Sequence, residues 1–399
     1  MDRNILDKFL ATKERLSNSE CNPYYRAIEG IQGGEAVVDG KQLIMVGSND
    51  YLGLRSHPKV QEAAIAALRK WGTGPGGARI LCGNLTLHEE LEQRLALYVG
   101  KKGALIYTTG FLANIGALQT LCSDSLFLCD QEGHASLFEG GWASRANVVP
   151  FKHNDVQSAR RRLERARAKN GTSKAVLVAE GVYSMSGDVA ALPELAEFAQ
   201  SDPDVQLYLD DAHGLGVLGS NGAGTADMFG LTGEVDFIMG TFSKSLASIG
   251  GFIASDDLDM LCYLKHQSKA MLFTAALPAA NTASVLAALD VIESEPELVV
   301  NLTRITNRAR TAYSEIGLRF REGETPIIPV KVGDEEMALR ISEELYQRGV
   351  YALPALYPAV PKGEAIIRTA YSSVHTEEHV DRVVEAFREI SRQFPITNQ

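Results

Sequence analysis

The sequence predicts an α/β protein with a large domain built on a mostly parallel sheet and a small C-terminal α+β domain. From about residue 58 to 300, short apolar runs alternate with longer amphipathic runs. This alternation is typical of βαβ units, in which helices cover both faces of a parallel sheet. After about residue 300, three helical segments alternate with two strand-like segments. The predicted division is an N-terminal segment over 1–45, a large domain over 46–295 and a small domain over 296–399.

The N-terminal segment is predicted to contain a helix followed by a hairpin. Its first residues, MDRNILDKFLATKERL, are amphipathic and lack the apolar core of a signal peptide. Further on, Val37 and Leu43–Val46 flank the pair Asp39–Gly40. An Asp-Gly pair favours the tight turn that joins two antiparallel strands, so we expect a short strand pair here.

The strand candidates of the large domain are apolar runs of three to five residues: Ala104–Tyr107, Leu126–Cys129, Val148–Phe151, Ala175–Ala179, Gln206–Leu209, Phe237–Met239 and Gly251–Ala254. The helix candidates between them include His88–Val99, Ala113–Leu121, Val156–Ala168 and Leu192–Gln200. In the small domain, the expected elements are the helices Leu302–Glu315, Met337–Gln347 and Glu377–Gln393 and the strands Ile327–Val332 and Ile366–Tyr371.

Composition excludes several classes of protein. A chain of 399 residues with 45% hydrophobic residues can bury a large core. The net charge of −11 argues against general binding of nucleic acid. Five scattered cysteines without a CxxC pair fit a reducing compartment. No apolar stretch approaches the roughly 18 residues that span a bilayer, so we expect a cytoplasmic protein without a transmembrane segment.

Some short patterns match well-known motifs but lack the context that each motif requires. Gly72–Gly77 contains GxGxxG, yet it follows a helical stretch, so we expect a loop lining a site instead of a dinucleotide-binding turn. His375–His379 spells HxxEH, but Thr376 before an amphipathic helix is better explained as a helix N-cap. We therefore expect no metal site.

Ionisable residues suited to cofactor chemistry follow two apolar runs. Asp210 and His213 come directly after one of these runs, at the end of a strand where open α/β sheets place their ligands. Lys244 comes after the next, between Thr241, Ser243 and other small residues. A lysine held near a buried strand suits Schiff-base chemistry, because its surroundings lower its pKa.

Two upstream segments add an anion-binding turn and an aromatic ring. Gly110 and Phe111 follow a predicted strand and open a helix, where free backbone N–H groups cradle anions. His134 follows the next predicted strand and could stack on a flat ring. Together the segments supply a phosphate cradle, a stacking group, a carboxylate for a ring nitrogen and an imine-forming lysine. Pyridoxal 5′-phosphate (PLP) needs this combination.

The chain resembles the α-oxoamine synthase family of PLP enzymes from about Asn22 to Phe387. The motifs that carry the resemblance are Gly47–Gly53, Gly74–Arg79, Thr109–Phe111, His134–Ser136, Ser184–Asp188, Asp210–His213 and Gly240–Gly251. The resemblance implies the aspartate-aminotransferase fold (fold type I) and a homodimer with active sites at the interface.

The resemblance also implies roles for individual residues. It makes Lys244 the imine-forming lysine that also removes the α-proton, and it makes Asp210 the partner of the ring nitrogen. His213 would donate to the ring hydroxyl, and His134 would stack on the ring and orient the substrate. Further cofactor contacts are implied for Ser184 near the ring hydroxyl, for Gly110, Phe111, Thr241 and Ser243 near the phosphate, and for Thr274 toward the phosphate of the partner subunit. Arg368 and Asn49 would contact the substrate.

The reaction implied is a decarboxylative condensation of an amino acid with an acyl-CoA. Gly240–Gly251 is closest to family members that use L-serine and palmitoyl-CoA, so we expect 3-oxosphinganine, CoA and CO2, the first step of sphingolipid synthesis. The alternatives are siblings that use glycine or alanine, namely glycine C-acetyltransferase, 8-amino-7-oxononanoate synthase and 5-aminolevulinate synthase, and, more distantly, a non-catalytic regulatory subunit. The apolar loop Leu353–Pro361 is either a lining for the acyl chain or an ordinary connection.

Overall fold

A computed structural model describes residues 22–397. Contacts divide these residues into a larger unit, 49–184 with 188–302, and a smaller unit, 22–48 with 185–187 and 303–397. The division predicted from the sequence treats 1–45 as a segment separate from the C-terminal domain and places the second boundary at 295. The contacts instead group the first described residues with the C-terminal part and end the larger unit at Leu302. The predicted N-terminal helix lies outside the described residues.

The strands are β1 (Ile28–Gln32), β2 (Glu35–Val38), β3 (Lys41–Met45), β4 (Gly103–Tyr107), β5 (Leu126–Asp130), β6 (Asn147–Phe151), β7 (Ala175–Glu180), β8 (Val205–Asp210), β9 (Phe237–Thr241), β10 (Gly251–Ser255), β11 (Ile327–Gly333), β12 (Val350–Tyr351), β13 (Leu353–Ala355) and β14 (Ala365–Ala370). The helices are α1 (Pro58–Trp71), α2 (Thr86–Tyr98), α3 (Gly110–Leu121), α4 (Ala135–Ala143), α5 (Val156–Asn170), α6 (Leu192–Gln200), α7 (Thr225–Met228), α8 (Leu258–Gln267), α9 (Lys269–Leu272), α10 (Ala279–Ser294), α11 (Glu297–Glu315), α12 (Glu335–Gln347) and α13 (Glu377–Ser391).

The larger unit contains a seven-stranded sheet in the order β4-β10-β9-β8-β7-β5-β6. Only β10 runs antiparallel to its neighbours, and the other strands share one direction. The prediction of a large, mostly parallel sheet is therefore confirmed. Each predicted strand begins within one residue and ends within two residues of the observed strand. Apolar runs predict these strands well because β5, β7, β9 and β10 are buried along their whole length.

Helices α3 and α4 pack closely on each other because a glycine lies at their contact. Helix α3 contacts α4, and a Cβ atom placed on Gly140 of α4 would lie 2.9 Å from the Cβ of Leu118 on α3. Leu137 of α4 belongs to the same core as Phe127 and Val178 of the sheet. Full burial of such a side chain contributes about 1.5–3 kcal/mol. This packing fixes the positions of the loops that precede α3 and α4.

The strand ends bring polar residues to one edge of the sheet. Strands β7 and β8 pair in register at their last residues, Glu180 and Asp210. Strand β9 runs parallel to β8 and ends at Thr241. Strand β4 shares this direction, and the residues that follow it open α3. The carboxyl ends of these strands therefore lie at the same edge, where open α/β sheets bind ligands.

The smaller unit contains two further sheets. In the first, β2 and β3 form the predicted hairpin, and Asp39 and Gly40 both have positive φ, at 51° and 70°, as a type I′ turn requires. Strand β12 adds to this sheet parallel to β3. The second sheet has the order β11-β14-β13. Helices α11, α12 and α13 contribute side chains to a core shared with β11 and β14, which confirms the predicted α+β character.

The GxGxxG and HxxEH patterns lie outside the structural context of the sites that they resemble. Gly72 follows α1, and no strand leads into Gly72–Gly77. Thr376 accepts a hydrogen bond from the backbone N–H of His379, at 3.2 Å, and so caps α13. In the described part of the chain, no group of histidine, cysteine and acidic side chains could hold a metal ion. None of the helices between residues 22 and 397 has the length and apolarity to cross a membrane.

Candidate active site

A cavity of 330 Å³ lies at the carboxyl edge of the large sheet, within the larger unit. Eight of the residues predicted from the sequence line it: Gly110, Phe111, His134, Asp210, His213, Thr241, Ser243 and Lys244. The structure adds Thr109, Asn114, Ser136, Glu180, Ala212, Met239, Ile249 and Gly250. Residues from six separate segments of the chain thus meet at one site.

Asp210 is held by two hydrogen-bond donors. It is the last residue of β8 and is almost completely buried. Its Oδ2 accepts from Asn114 Nδ2 at 2.7 Å, and its Oδ1 accepts from the backbone N–H of Ala212 at 3.1 Å. Asn114 is itself fixed, because its Oδ1 accepts from the Tyr208 hydroxyl at 2.8 Å. The carboxylate therefore has a defined direction in the cavity, which suits a cationic ring nitrogen.

His213 and His134 each contact a hydroxyl group through Nδ1. Tyr51 Oη lies 2.6 Å from His213 Nδ1, and both side chains are buried. Ser136 Oγ lies 2.7 Å from His134 Nδ1. Burial lowers the pKa of His134, with the Lys244 ammonium acting in the same direction and Asp210 against it. His134 therefore enters the site as a neutral ring at neutral pH.

Lys244 lies in a tight turn between β9 and β10. The backbone N–H of Ala247 donates to the Lys244 carbonyl at 3.0 Å, and that of Ser248 donates to the Phe242 carbonyl at 2.8 Å. The side chain of Lys244 is half-buried and lines the cavity. These bonds fix the backbone from which the amine extends. A lysine placed in this way can exchange an imine with an amino acid.

The start of α3 forms a place for an anion. Thr109 caps the helix, with its Oγ1 accepting from the backbone N–H of Leu112 at 3.1 Å. A Cβ atom on Gly110 would lie 2.7 Å from Thr241 Oγ1, so glycine keeps this space open. Thr241 Oγ1 also lies 3.0 Å from Ser243 Oγ. Free N–H groups and hydroxyls at this point suit a phosphate.

Glu180 is a cavity residue to which the sequence assigned no role. Its carboxyl group is buried, and its Oε1 has no hydrogen-bond partner within residues 22–397. Burial raises the pKa of Glu180 well above its usual value, and the neighbouring Asp210 acts in the same direction. Two buried acids at adjacent strand ends favour one neutral and one ionised group. Its position directly after an apolar run was the only available signal.

The donor set fits PLP. A carboxylate, two histidines and a lysine surround the cavity, and a phosphate cradle opens beside them. The space left by Gly110 and the orphaned Glu180 oxygen are both features that a bound polar group would fill. We therefore assign these residues as the ones that would hold the cofactor.

Four predicted residues lie outside this cavity. Ser184 belongs to the larger unit but does not line the site. Asn49 Oδ1 lies 3.3 Å from the Tyr51 hydroxyl. Thr274 Oγ1 donates to the Ala270 carbonyl at 2.5 Å and lies in a different depression of the larger unit. Arg368 is on β14 in the smaller unit.

The smaller unit has a cavity of its own, of 420 Å³. Its lining is largely apolar: Tyr24, Gly47, Met185, Leu353, Pro354, Ala355, Leu356, Tyr357, Ala359 and Arg368. Most of the loop Leu353–Pro361 contributes to this lining, and its first residues form strand β13. The loop thus lines a cavity within the smaller unit.

Comparison with known proteins places the chain among PLP enzymes. The family model of class I and II aminotransferases matches residues 41–387. The serine palmitoyltransferase of Bacteriovorax stolpii is 42% identical over 392 residues, which cover 98% of this chain and 92% of that one. The 8-amino-7-oxononanoate synthase of Thermoanaerobacter pseudethanolicus is 36% identical over 388 residues, 96% of this chain and 97% of that one. A solved serine palmitoyltransferase from S. paucimobilis with a bound PLP–myriocin aldimine has a TM-score of 0.94 at 30% identity, covering 98% of this chain and 99% of that one.

Proposed function

Because the chain belongs to the aminotransferase class I and II family, we propose that it joins L-serine to palmitoyl-CoA and gives 3-oxosphinganine, CoA and CO2. The broader assignment is a PLP-dependent acyltransferase of the aspartate-aminotransferase fold. The observation that carries the proposal is the meeting of Asp210, His134, His213 and Lys244 around one cavity at the carboxyl edge of the sheet.

The residues of this cavity divide the work between them. When bound, PLP supplies a ring that withdraws electrons from the amino acid. Lys244 would hold the cofactor covalently and then move the proton at the substrate Cα. Asp210 would keep a proton on the ring nitrogen, since a buried carboxylate favours the charged form of a cation beside it. His213 would bind the ring hydroxyl, and His134 would cover the ring face.

The phosphate and the substrate would be held by further groups. Gly110 and Phe111, at the start of α3, would bind the phosphate together with Thr241 and Ser243. Ser184 would complete the contacts near the ring hydroxyl. Arg368 would bind the substrate carboxylate, because its planar fork of N–H groups matches two carboxylate oxygens, and Asn49 would contact the substrate as well.

The loop Leu353–Pro361 is proposed to contact the acyl chain. The cavity that it lines has mostly carbon atoms on its walls, from Leu353, Leu356 and neighbouring side chains. Transfer of an alkyl chain from water to such a wall is favourable by about 0.8 kcal/mol for each buried CH2 group. A cavity of this character suits a long-chain acyl group better than an acetyl group.

We also propose that the enzyme is a homodimer. Ile80, Leu81 and Phe273 are exposed to 59%, 81% and 81%, and a hydrogen bond of 3.0 Å from Ala276 N to the Gly77 carbonyl ties their two segments together. A cluster of exposed apolar side chains of this kind marks an interaction surface. Thr274, beside Phe273, would then reach the phosphate bound by the partner subunit.

The proposed location is the cytoplasm. The four described cysteines, Cys82, Cys122, Cys129 and Cys262, are all free thiols. Free thiols fit a reducing compartment.

A second candidate is an 8-amino-7-oxononanoate synthase, which the 36% identical relative favours. Titration of the PLP-loaded protein with L-serine, glycine and L-alanine separates the two, followed by palmitoyl-CoA and measurement of CoA release. We expect serine to shift the visible absorption band at far lower concentration than glycine or alanine, and palmitoyl-CoA to trigger CoA release. Saturation by alanine or glycine instead would reject the serine assignment. Failure of palmitoyl-CoA to release CoA would reject the acyl donor.

A further inference from the structure

The two histidines of the cavity share an arrangement that determines where their protons lie. In each, Nδ1 faces a hydroxyl oxygen, at 2.6 Å for Tyr51 with His213 and at 2.7 Å for Ser136 with His134. A neutral imidazole carries one proton, so one nitrogen donates and the other accepts. The direction of each hydroxyl proton therefore decides which nitrogen of the ring can donate into the site.

The direction at Ser136 follows from a chain of hydrogen bonds that starts at Asp210. A carboxylate only accepts, so the group of Asn114 that lies 2.7 Å from Asp210 must be its amide nitrogen. The same nitrogen lies 2.8 Å from Ser136 Oγ and donates its second proton there. The amide oxygen of Asn114 is occupied as well, by the Tyr208 hydroxyl. The amide thus has one allowed orientation.

Ser136 has only one direction left for its own proton. Its oxygen already accepts from Asn114, and its nearest acceptor is His134 Nδ1. The backbone N–H of Ser136 also points to this nitrogen, at 3.3 Å. Two donors at Nδ1 make it an acceptor, which leaves the ring proton on Nε2. The lowered pKa of His134, caused chiefly by burial, agrees with a neutral ring.

The direction at Tyr51 follows from distance. Its hydroxyl oxygen lies 2.6 Å from His213 Nδ1 and 3.3 Å from Asn49 Oδ1. Hydrogen bonds donated by a hydroxyl group are about 2.5–3.0 Å long, whereas those donated by an N–H group are about 2.7–3.2 Å long. A contact of 2.6 Å is shorter than an N–H donor usually makes, so it indicates that Tyr51 donates and Nδ1 accepts, and the ring proton of His213 is again on Nε2. Complete burial of Tyr51 keeps water from competing for this bond.

We propose that Tyr51 and Ser136 are positioning residues that hold both cavity histidines in the Nε2-protonated tautomer. Each ring then presents an N–H donor to the cavity, His213 toward an oxygen of the bound cofactor and His134 toward an oxygen of the bound amino acid. The identity of these two acceptors rests on the proposed function. The tautomers themselves rest only on the hydrogen bonds described.

Nitrogen NMR of the PLP-loaded protein, labelled with 15N-histidine, tests the proposal, because the two ring nitrogens differ strongly in chemical shift between tautomers. The signals are assigned with His213→Asn and His134→Asn. At pH 7 we expect both wild-type rings to carry the proton on Nε2. Tyr51→Phe should shift only the His213 signals, and Ser136→Ala only those of His134. Tyr313→Phe removes an equally buried hydroxyl group from the core of the smaller unit and should shift neither.

A wild-type ring protonated on Nδ1, or on both nitrogens at pH 7, would overturn the proposal even if every variant failed to fold. A Tyr51→Phe protein with unchanged His213 signals would also overturn it. In kinetics, Tyr51→Phe should lower kcat about 10- to 100-fold, by analogy with loss of the outer partner of a metal-binding histidine, with a smaller change in KM for serine. Rejection of serine as substrate would leave the tautomer result intact, so the two proposals fail separately.

Discussion

Replacement of Asp210 by Asn separates its chemical role from its structural role. The carboxylate accepts from Asn114 and from the backbone N–H of Ala212. An amide has only one acceptor oxygen, so one of these two donors would face an NH2 group. A buried donor without a partner costs about 1–3 kcal/mol. Asp210→Asn should therefore lower the free energy of unfolding by about this amount, whatever the reaction.

The chemical effect is expected to be larger. Asp210 is proposed to keep a proton on the ring nitrogen of the bound cofactor, and an amide in its place would not favour that proton or the electron withdrawal that depends on it. Loss of one partner of a buried charge pair costs about 3–5 kcal/mol. At about 1.36 kcal/mol for each factor of ten, turnover should fall by about two to four orders of magnitude. The assay is the rate of CoA release with saturating serine and palmitoyl-CoA, per molecule of folded protein.

Asp211→Asn is the matched control. Asp211 is equally buried, and its carboxylate accepts from the backbone N–H and the hydroxyl group of Thr225, both at 2.6 Å, but it does not line the cavity. The same loss of one acceptor should lower stability to a similar extent. Turnover of the folded protein should stay close to the wild-type value. If Asp210→Asn and Asp211→Asn reduced turnover equally, the role assigned to Asp210 would be refuted.

Four other predictions follow from the same structure. Lys244→Ala should abolish turnover and the visible band of the bound cofactor, measured by absorption; retained turnover would reject the assignment. His153 lies between Asp130 and Asp188, and its hydrogen bonds with these two carboxylates raise its pKa to about 10. The stability that His153 adds to the folded protein is therefore fully present below pH 6.5 and is lost as pH rises through about 10. At about 1.36 kcal/mol per pKa unit the loss is about 4–5 kcal/mol, and urea unfolding of His153→Gln should lack this part of the pH dependence. Arg368→Lys should raise KM for serine about tenfold or more, because an ammonium cannot pair two carboxylate oxygens at once; an unchanged KM would contradict this role. Ala359→Trp should reduce the preference for palmitoyl-CoA over decanoyl-CoA about tenfold, whereas Ala168→Trp on the exposed face of α5 should leave it unchanged.

The sequence predicted the strands of the large sheet because burial on both faces demands nearly continuous apolar runs. The same reasoning placed the chemistry, since Asp210, His134 and Lys244 each stand shortly after such a run. The hairpin at Asp39–Gly40 followed from a turn that only a few residue types adopt. These features are local, and a few neighbouring residues are enough to determine them.

The features that the sequence did not predict depend on contacts between distant residues. The antiparallel direction of β10 is not encoded in the composition of Gly251–Ser255. The pairing of β12 with β3 joins residues about 300 positions apart. The same holds for the hydrogen bonds of Tyr51 with His213 and of Asn114 with Asp210, which span 162 and 96 positions. Tyr51 lies in the motif Gly47–Gly53 and Asn114 in the predicted helix Ala113–Leu121, but only the fold reveals their partners.

Lys244 is proposed to hold PLP covalently in the cavity of the larger unit. Reduction of the PLP-loaded protein with borohydride fixes this link, and digestion followed by mass spectrometry locates it. We predict that the modified peptide contains Lys244 and that prior addition of L-serine, which would displace the lysine under the proposed function, suppresses the modification. A stable adduct on any other lysine, or unmodified Lys244 in protein that binds PLP stoichiometrically, would contradict the assignment of Lys244.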